Sequence, residues 1–134
     1  MARLSAATRN AAADAIADRF DAGASAATIE VRTGSAPASA DDAASGTLLL
    51  TFTLADPAFG NAASGVVTAA SVPRTAVAVA AGTAGYARAL DGDGGKVMDL
   101  SVGTSGTDVE LSSTTITLGR TVSLTALTIT VPAA

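Results

Sequence analysis

The chain has 134 residues and a formal net charge of −4 from 8 basic and 12 acidic side chains, and it contains no cysteine, histidine or tryptophan. Those absences remove Ser-His-Asp and Cys-His nucleophiles, the usual zinc, haem, copper and iron–sulfur ligand sets and any disulfide framework, in what is expected to be one domain. Seven arginines dispersed among more numerous acids and only four aromatics disfavour nucleic acid, and no run approaches the roughly 18 apolar residues of a membrane span.

From Ser5 to Ala22 the sequence reads as a helix. Ser5 is the N-cap, alanine is abundant, Ala12, Ile16 and Phe20 recur at intervals of four, and Gly23 ends the element. Arg3, Arg9, Asp14, Asp18, Arg19 and Asp21 fall on other faces and read as solvated charges. The start, Met1 to Asn10, lacks the apolar stretch of a secretory signal, so the protein is expected to remain where it is made.

After Ala26 the period changes to two. Ile29 and Val31 alternate with Thr28, Glu30 and Arg32, the pattern of a half-buried strand. Residues 34–46, with Pro37, Asp41 and Asp42 among Ser and Ala, read as a long surface loop. Leu48, Leu50, Phe52 and Leu54 then face one way while Thr47, Leu49, Thr51 and Thr53 face the other. This is the strongest strand pattern in the chain and is expected at the centre of a sheet. A second loop, residues 56–61, holds Phe59 either as a plug beneath its own loop, which is preferred, or as an exposed anchor.

Weaker strands follow at Val66 to Ala70 and through Val77 and Val79, with Pro73 in a turn or at an edge between them. Tyr86, Arg88 and Leu90 lead through a turn at Asp91 to Gly95 into Val97 to Val102, a hairpin. Val109 with Leu111, Ile116 with Leu118, and Thr121 to Val131 complete the pattern. In the last run Val122, Leu124 and Ala126 are even-numbered and Leu127, Ile129 and Val131 odd-numbered, so a bulge between 126 and 127 is expected to restore register. Eight or nine short strands with frequent turns describe a mainly β protein, an antiparallel β-sandwich that is jelly-roll-like or barrel-like. Residues 27–134 form the sandwich, and residues 1–26 form an arm and a single N-terminal α-helix packed on the sheet.

The short motifs carry little chemistry. Asp91-Gly-Asp-Gly-Gly95 with Asp99 has the look of a calcium loop, but it lacks the third early ligand and the distal glutamate, and it reads as a hairpin turn. Gly103 to Gly106 lacks the lysine and the following helix of a phosphate loop. Lys96, the only lysine, sits beside a turn where nothing desolvates it, and Asp108 with Glu110 on one strand face suggests no pocket. Neither an enzyme, a cofactor nor a metal is expected. Threonine, 18 residues in all, concentrates on outward strand positions where lysine would guard an edge. Assembly into a homo-oligomer, with a trimer favoured, is the expectation.

Val31-Arg-Thr-Gly-Ser-Ala-Pro37, Gly46 to Leu54 and Pro57-Ala-Phe-Gly60, together with Val97 to Leu124 and Thr-Ile-Thr at 128–130, resemble small virion structural proteins of tailed double-stranded-DNA bacteriophages. The likeness covers most of the chain from about residue 4. One departure is Tyr86-Ala87 after Gly82-Thr-Ala-Gly85, where a Trp-type aromatic is expected. The resemblance implies a virion protein assembled in the host bacterial cytoplasm, in the leading reading a capsid decoration or cement protein that bridges major capsid protein subunits. The alternatives are a tail, baseplate or fibre module, or a glycan-binding adhesin. Extended, small-residue segments suit such contacts, which assigns them to Met1 to Arg9 and the 34–46 loop, with Arg3, Leu4, Arg9, Pro37, Asp41, Asp42 and Phe59 as contact residues.

Overall fold

The computed structural model describes residues 2–133. Helix α1 spans Ala6–Phe20 and begins at Ser5, whose hydroxyl accepts the Thr8 N–H at 3.2 Å. Its buried face is Ala13, Ala17 and Phe20, one step away from the Ala12–Ile16–Phe20 stripe. Two successive spacings of four drift about 80° around a helix of 3.6 residues per turn, whereas a four followed by a three, as in 13, 17 and 20, returns to within about 20°. Ile16 is consequently only partly buried, against the edge of the core.

Ten strands follow: β1 (Thr28–Thr33), β2 (Leu48–Thr53), β3 (Val66–Thr68), β4 (Arg74–Val77), β5 (Gly82–Leu90), β6 (Lys96–Leu100), β7 (Val102–Gly103), β8 (Val109–Leu111), β9 (Thr115–Ile116) and β10 (Thr121–Thr130). They make two five-stranded sheets. One has the order β2-β1-β5-β6 with β9 on β5, and the other β3-β10-β8-β7 with β4 on β10. Pairing is antiparallel except for the two-residue parallel ladder of β7 with β8. The chain thus forms a helix-bearing β-sandwich, as the periodicity indicates.

Both flanks of the sandwich are bridged. On one, β6 and β7 are a single run interrupted only at Ser101, so the chain leaves one sheet and enters the other. On the other flank β4 lies along β2, where the Val79 N–H donates to the Leu49 carbonyl at 2.8 Å. Between the sheets Ile29, Val31, Leu50, Phe52, Leu100, Val109, Leu111, Leu124 and Leu127 are all buried. The accessible surface, 6513 Å², is close to the roughly 6,300 Å² expected of a folded monomer of this mass.

β2 is an edge strand, not the central one; β1 and β5 occupy the centre. Its unusual apolar density has a local cause. Val31 pairs with Leu50 and Arg32 with Leu48, so Leu49 is the extra residue of a bulge, and Leu49 and Leu50 are both fully buried at the sandwich corner. Val79 and Leu118, expected within strands, lie beyond β4 and β9 and are each 64% exposed. The bulge in β10 is present but falls at Thr125, with Leu124 opposite Leu111 and Ala126 opposite Glu110. It keeps Val122 and Leu124, then Leu127 and Ile129, on the buried face.

The Asp91 to Gly95 segment is a tight turn whose carboxylate serves its own backbone. Asp91 Oδ1 accepts the N–H groups of Gly95 at 2.8 Å and Asp93 at 2.9 Å. Those two bonds hold the carboxyl below its ordinary value of 3.8. A depressed folded value contributes stability that is complete above the unfolded value and is lost as pH falls through the folded one. Asp91→Asn keeps an oxygen acceptor without a titrating group. Its urea midpoint is therefore expected to fall less than that of the wild type when unfolding is repeated at pH values below 3.8.

Candidate functional site

Three sets of polar groups organise the surface. The first fixes α1. Arg9 donates to the carbonyls of Val131 at 3.1 Å and Ser64 at 2.8 Å, Asn10 Oδ1 accepts the Gly65 N–H, Asp14 Oδ1 the Ala62 N–H, and Asp21 Oδ1 the Ala58 N–H. Arg9, Asp14 and Asp21 are therefore clamps onto the 58–65 segment and the C-terminal end, not solvated charges. A helix whose buried seam is largely alanine gains little from apolar area, and bonds to otherwise unpaired backbone groups supply the remainder. Phe20 closes the seam edge-on against Phe59, with ring centroids 4.8 Å apart. Phe59 is 7% exposed and forms the plug, so it offers no exposed anchor.

The second set straps the 34–46 loop over the outer face of the first sheet. The Tyr86 hydroxyl donates to the Ser45 carbonyl and accepts the Ser45 N–H, Lys96 donates to the Asp41 carbonyl, and Arg88 Nη1 donates to the Asp42 carbonyl at 2.6 Å. Arg88, one of the dispersed arginines, is only 2% exposed. Its guanidinium forks onto Asp99, Nε to Oδ1 at 2.7 Å and Nη2 to Oδ2 at 3.1 Å. The hydrogen bonds to Asp99 raise its pKa above the ordinary value against the opposing effect of desolvation. Beside it Arg32 pairs with Glu30 at 3.2 Å. The loop is thus folded onto the sheet and is not free to order on a partner.

That cluster was accessible in principle from sequence. A hairpin folded about Asp93 and Gly94 sets Arg88 opposite Asp99, and the register confirms the pair. Burial of the pair was not readable, because it depends on a loop beginning some fifty residues earlier.

The third feature is the β2–β4 flank. Leu49 and Thr53 turn their carbonyls away from β1, the former to the Val79 N–H and the latter to Arg74 Nε at 2.9 Å. Thr51 turns the same way by strand alternation, and Thr75 and Val77 on β4 face it. Among the described residues none of these three has a backbone partner across the seam. The strands splay into an open groove of about 480 Å³ lined by Thr51, Thr53, Arg74, Thr75 and Val77.

The expected contact residues do not converge. Arg3 is exposed, and Leu4 is 41% exposed with its N–H bonded to the Ala133 carbonyl at 2.7 Å. Pro37 is half-buried, while Asp41 and Asp42 are exposed, the Asp42 carboxylate accepting the Ser39 N–H. Met1 lies outside the described residues. Asp108 and Glu110 turn to local backbone, accepting the N–H groups of Ser101 and Gly106 at 3.1 Å each. Among the described residues no buried side-chain polar atom lacks a partner and no cluster of potential metal ligands forms. Compared with family models, curated proteins and solved structures, the chain matches none of them.

Proposed function

We propose that the protein is a virion structural protein of a tailed bacteriophage, a capsid decoration or cement protein that acts by adhesion. One observation carries the adhesive part of this reading. Every buried polar side chain among the described residues is satisfied within the protein, while the flank left open is a pair of sheet edges lined by threonines and Arg74. The phage assignment is supported by the resemblance of the strand-and-turn segments at 31–60 and 97–130. In this reading the exposed contact elements are the arm carrying Arg3 and Leu4 and the outer surface of the strapped loop at Asp41 and Asp42. Many weak contacts of this kind, multiplied by capsid symmetry, suffice for stable attachment.

Cryo-electron microscopy of particles carrying the protein tests the assignment. Density for the sandwich repeated over the icosahedral shell, bridging major capsid protein subunits, is the expected result. Density confined to the tail or its tip would replace it with a tail or fibre role, and absence of the chain from purified particles would remove the virion reading altogether. Deleting residues 2–5, which precede α1, is expected to weaken particle attachment while leaving the sandwich folded; unchanged attachment would exclude the arm as a contact.

A further inference from the structure

The distribution of charge changes meaning once the chain is folded. All 12 acidic residues lie within 14–56 and 91–110, so the stretches 57–90 and 111–134 contain none. The fold gathers parts of these stretches together, because β3, β4 and β10 are neighbours in one sheet and the turn after β9 lies against the end of β4, while β5 lies in the middle of the other sheet. The Gly119 N–H donates to the Ala78 carbonyl and the Ala78 N–H to the Arg120 carbonyl, which brings Leu118 beside Val77 and Val79. These three are the largest exposed apolar side chains of the sandwich, at 64%, 58% and 64%. Arg74 is the cation of this flank and Arg120 stands at its end, beside Ser112, Ser113 and Thr115, and the unpaired strand edges of Thr51, Thr75 and Val77 adjoin it.

A second region has the complementary character. Over the half of the first sheet remote from β2, the loop strapped onto β5 and β6 and the β5–β6 turn present Asp41, Asp42 and Asp93, with Lys96 beside Asp41. An apolar, arginine-bearing flank and an acidic region at separate places on one molecule fit each other, whereas either laid against its own copy brings like charges together. We infer that the β2–β4 flank, with Val77, Val79, Leu118 and Arg120, is an interaction surface for a second copy of this chain and docks head to tail on its acidic flank. A contact of this type is heterologous and propagates into a closed ring or an open row, according to the rotation between neighbours. It does not rest on the capsid assignment: an assembly of this protein on any surface, or on none, uses the same contact.

Light scattering coupled to size-exclusion chromatography tests it on the full chain. The wild type is expected to gain mass with concentration and to lose it on addition of salt, since part of the attraction is between exposed charges. Two variants block one flank each: Val79→Asp with Leu118→Asp, and Asp41→Arg with Asp93→Arg. Each alone is expected to weaken association at least about tenfold, with circular dichroism unchanged because the substituted side chains are exposed. Mixed together, the two variants retain one competent contact and are expected to give a dimer and nothing larger. A wild type that stays monomeric at every concentration overturns the inference, and so does association that neither variant weakens. A mixture that forms no dimer overturns the head-to-tail geometry. Particle attachment by the Val79→Asp/Leu118→Asp variant, whose substitutions lie outside the proposed particle contacts, is a separate readout, so failure of self-association and failure of the capsid reading are distinguished.

Discussion

Deleting Thr128 is expected to abolish cooperative folding, while deleting Thr125, three residues earlier in the same strand, leaves a folded protein. The difference follows from where β10 already carries an extra residue. Thr125 is the unmatched position of the bulge, with Leu124 opposite Leu111 and Ala126 opposite Glu110. Its removal produces an uninterrupted alternation in which Val122, Leu124, Leu127 and Ile129 still share one face. Removing Thr128 instead moves Ile129, 4% exposed, to an outward position and drives Thr130 inward. It also shifts the ladder that pairs Thr128 with Thr68 and Ile129 with Val67. Exposing an isoleucine forfeits about 1.5–3 kcal/mol, and burying an unpaired hydroxyl costs about 1–3 kcal/mol, against a total stability of order 5–15 kcal/mol. Urea unfolding followed by circular dichroism reads both variants. Equal loss of the transition in the two deletions would show that the bulge is not the register device described.

Arg88→Ala is expected to cost about 3–5 kcal/mol, the range for removing one partner of a buried ion pair. The substitution leaves the Asp99 carboxylate, 13% exposed, without its cation and the Asp42 carbonyl without its donor. Asp99→Ala in the same background is expected to recover part of the loss, because the unpaired buried charge is gone; additivity of the two single effects would argue against a coupled pair. Arg88→Lys keeps a charge but not the fork, and is expected to fall between wild type and alanine. A folded pKa raised above the ordinary arginine value means that this group contributes stability at every pH below its unfolded value and loses it only in strong alkali. A second consequence is local. With one of its anchors gone, the 34–46 loop lifts more often, so the Ser45 amide, bonded to the Tyr86 hydroxyl at 2.9 Å, is expected to exchange faster with deuterium.

The resistance of this chain to functional reading has the same origin as the burial of Arg88. Arg9, Asp14, Asp21, Arg88 and Asp91 have the residue types from which binding and catalytic sites are made, yet each is used to satisfy backbone groups of a distant or neighbouring segment. Local pattern cannot distinguish such a clamp from a solvated charge, because the partner lies up to 122 residues away. The surface that remains available, the β2–β4 flank, is equally silent in sequence: Thr51, Thr75 and Val77 look like ordinary outward strand positions until the two edges are placed side by side.

Periodicity by itself determined the single helix, the alternation of Ile29 with Val31, the hairpin around Asp93 and the break of phase in β10, since each depends on neighbours within a few residues and on which side of the backbone they fall. Tertiary structure alone decided that β2 lies at an edge, that Arg88 is buried beneath the 34–46 loop, and that the acid-free strands β3, β4 and β10 adjoin one another. Those outcomes depend on which distant segment removes a group from water, and desolvation is a property of the assembled fold that no local window of sequence contains.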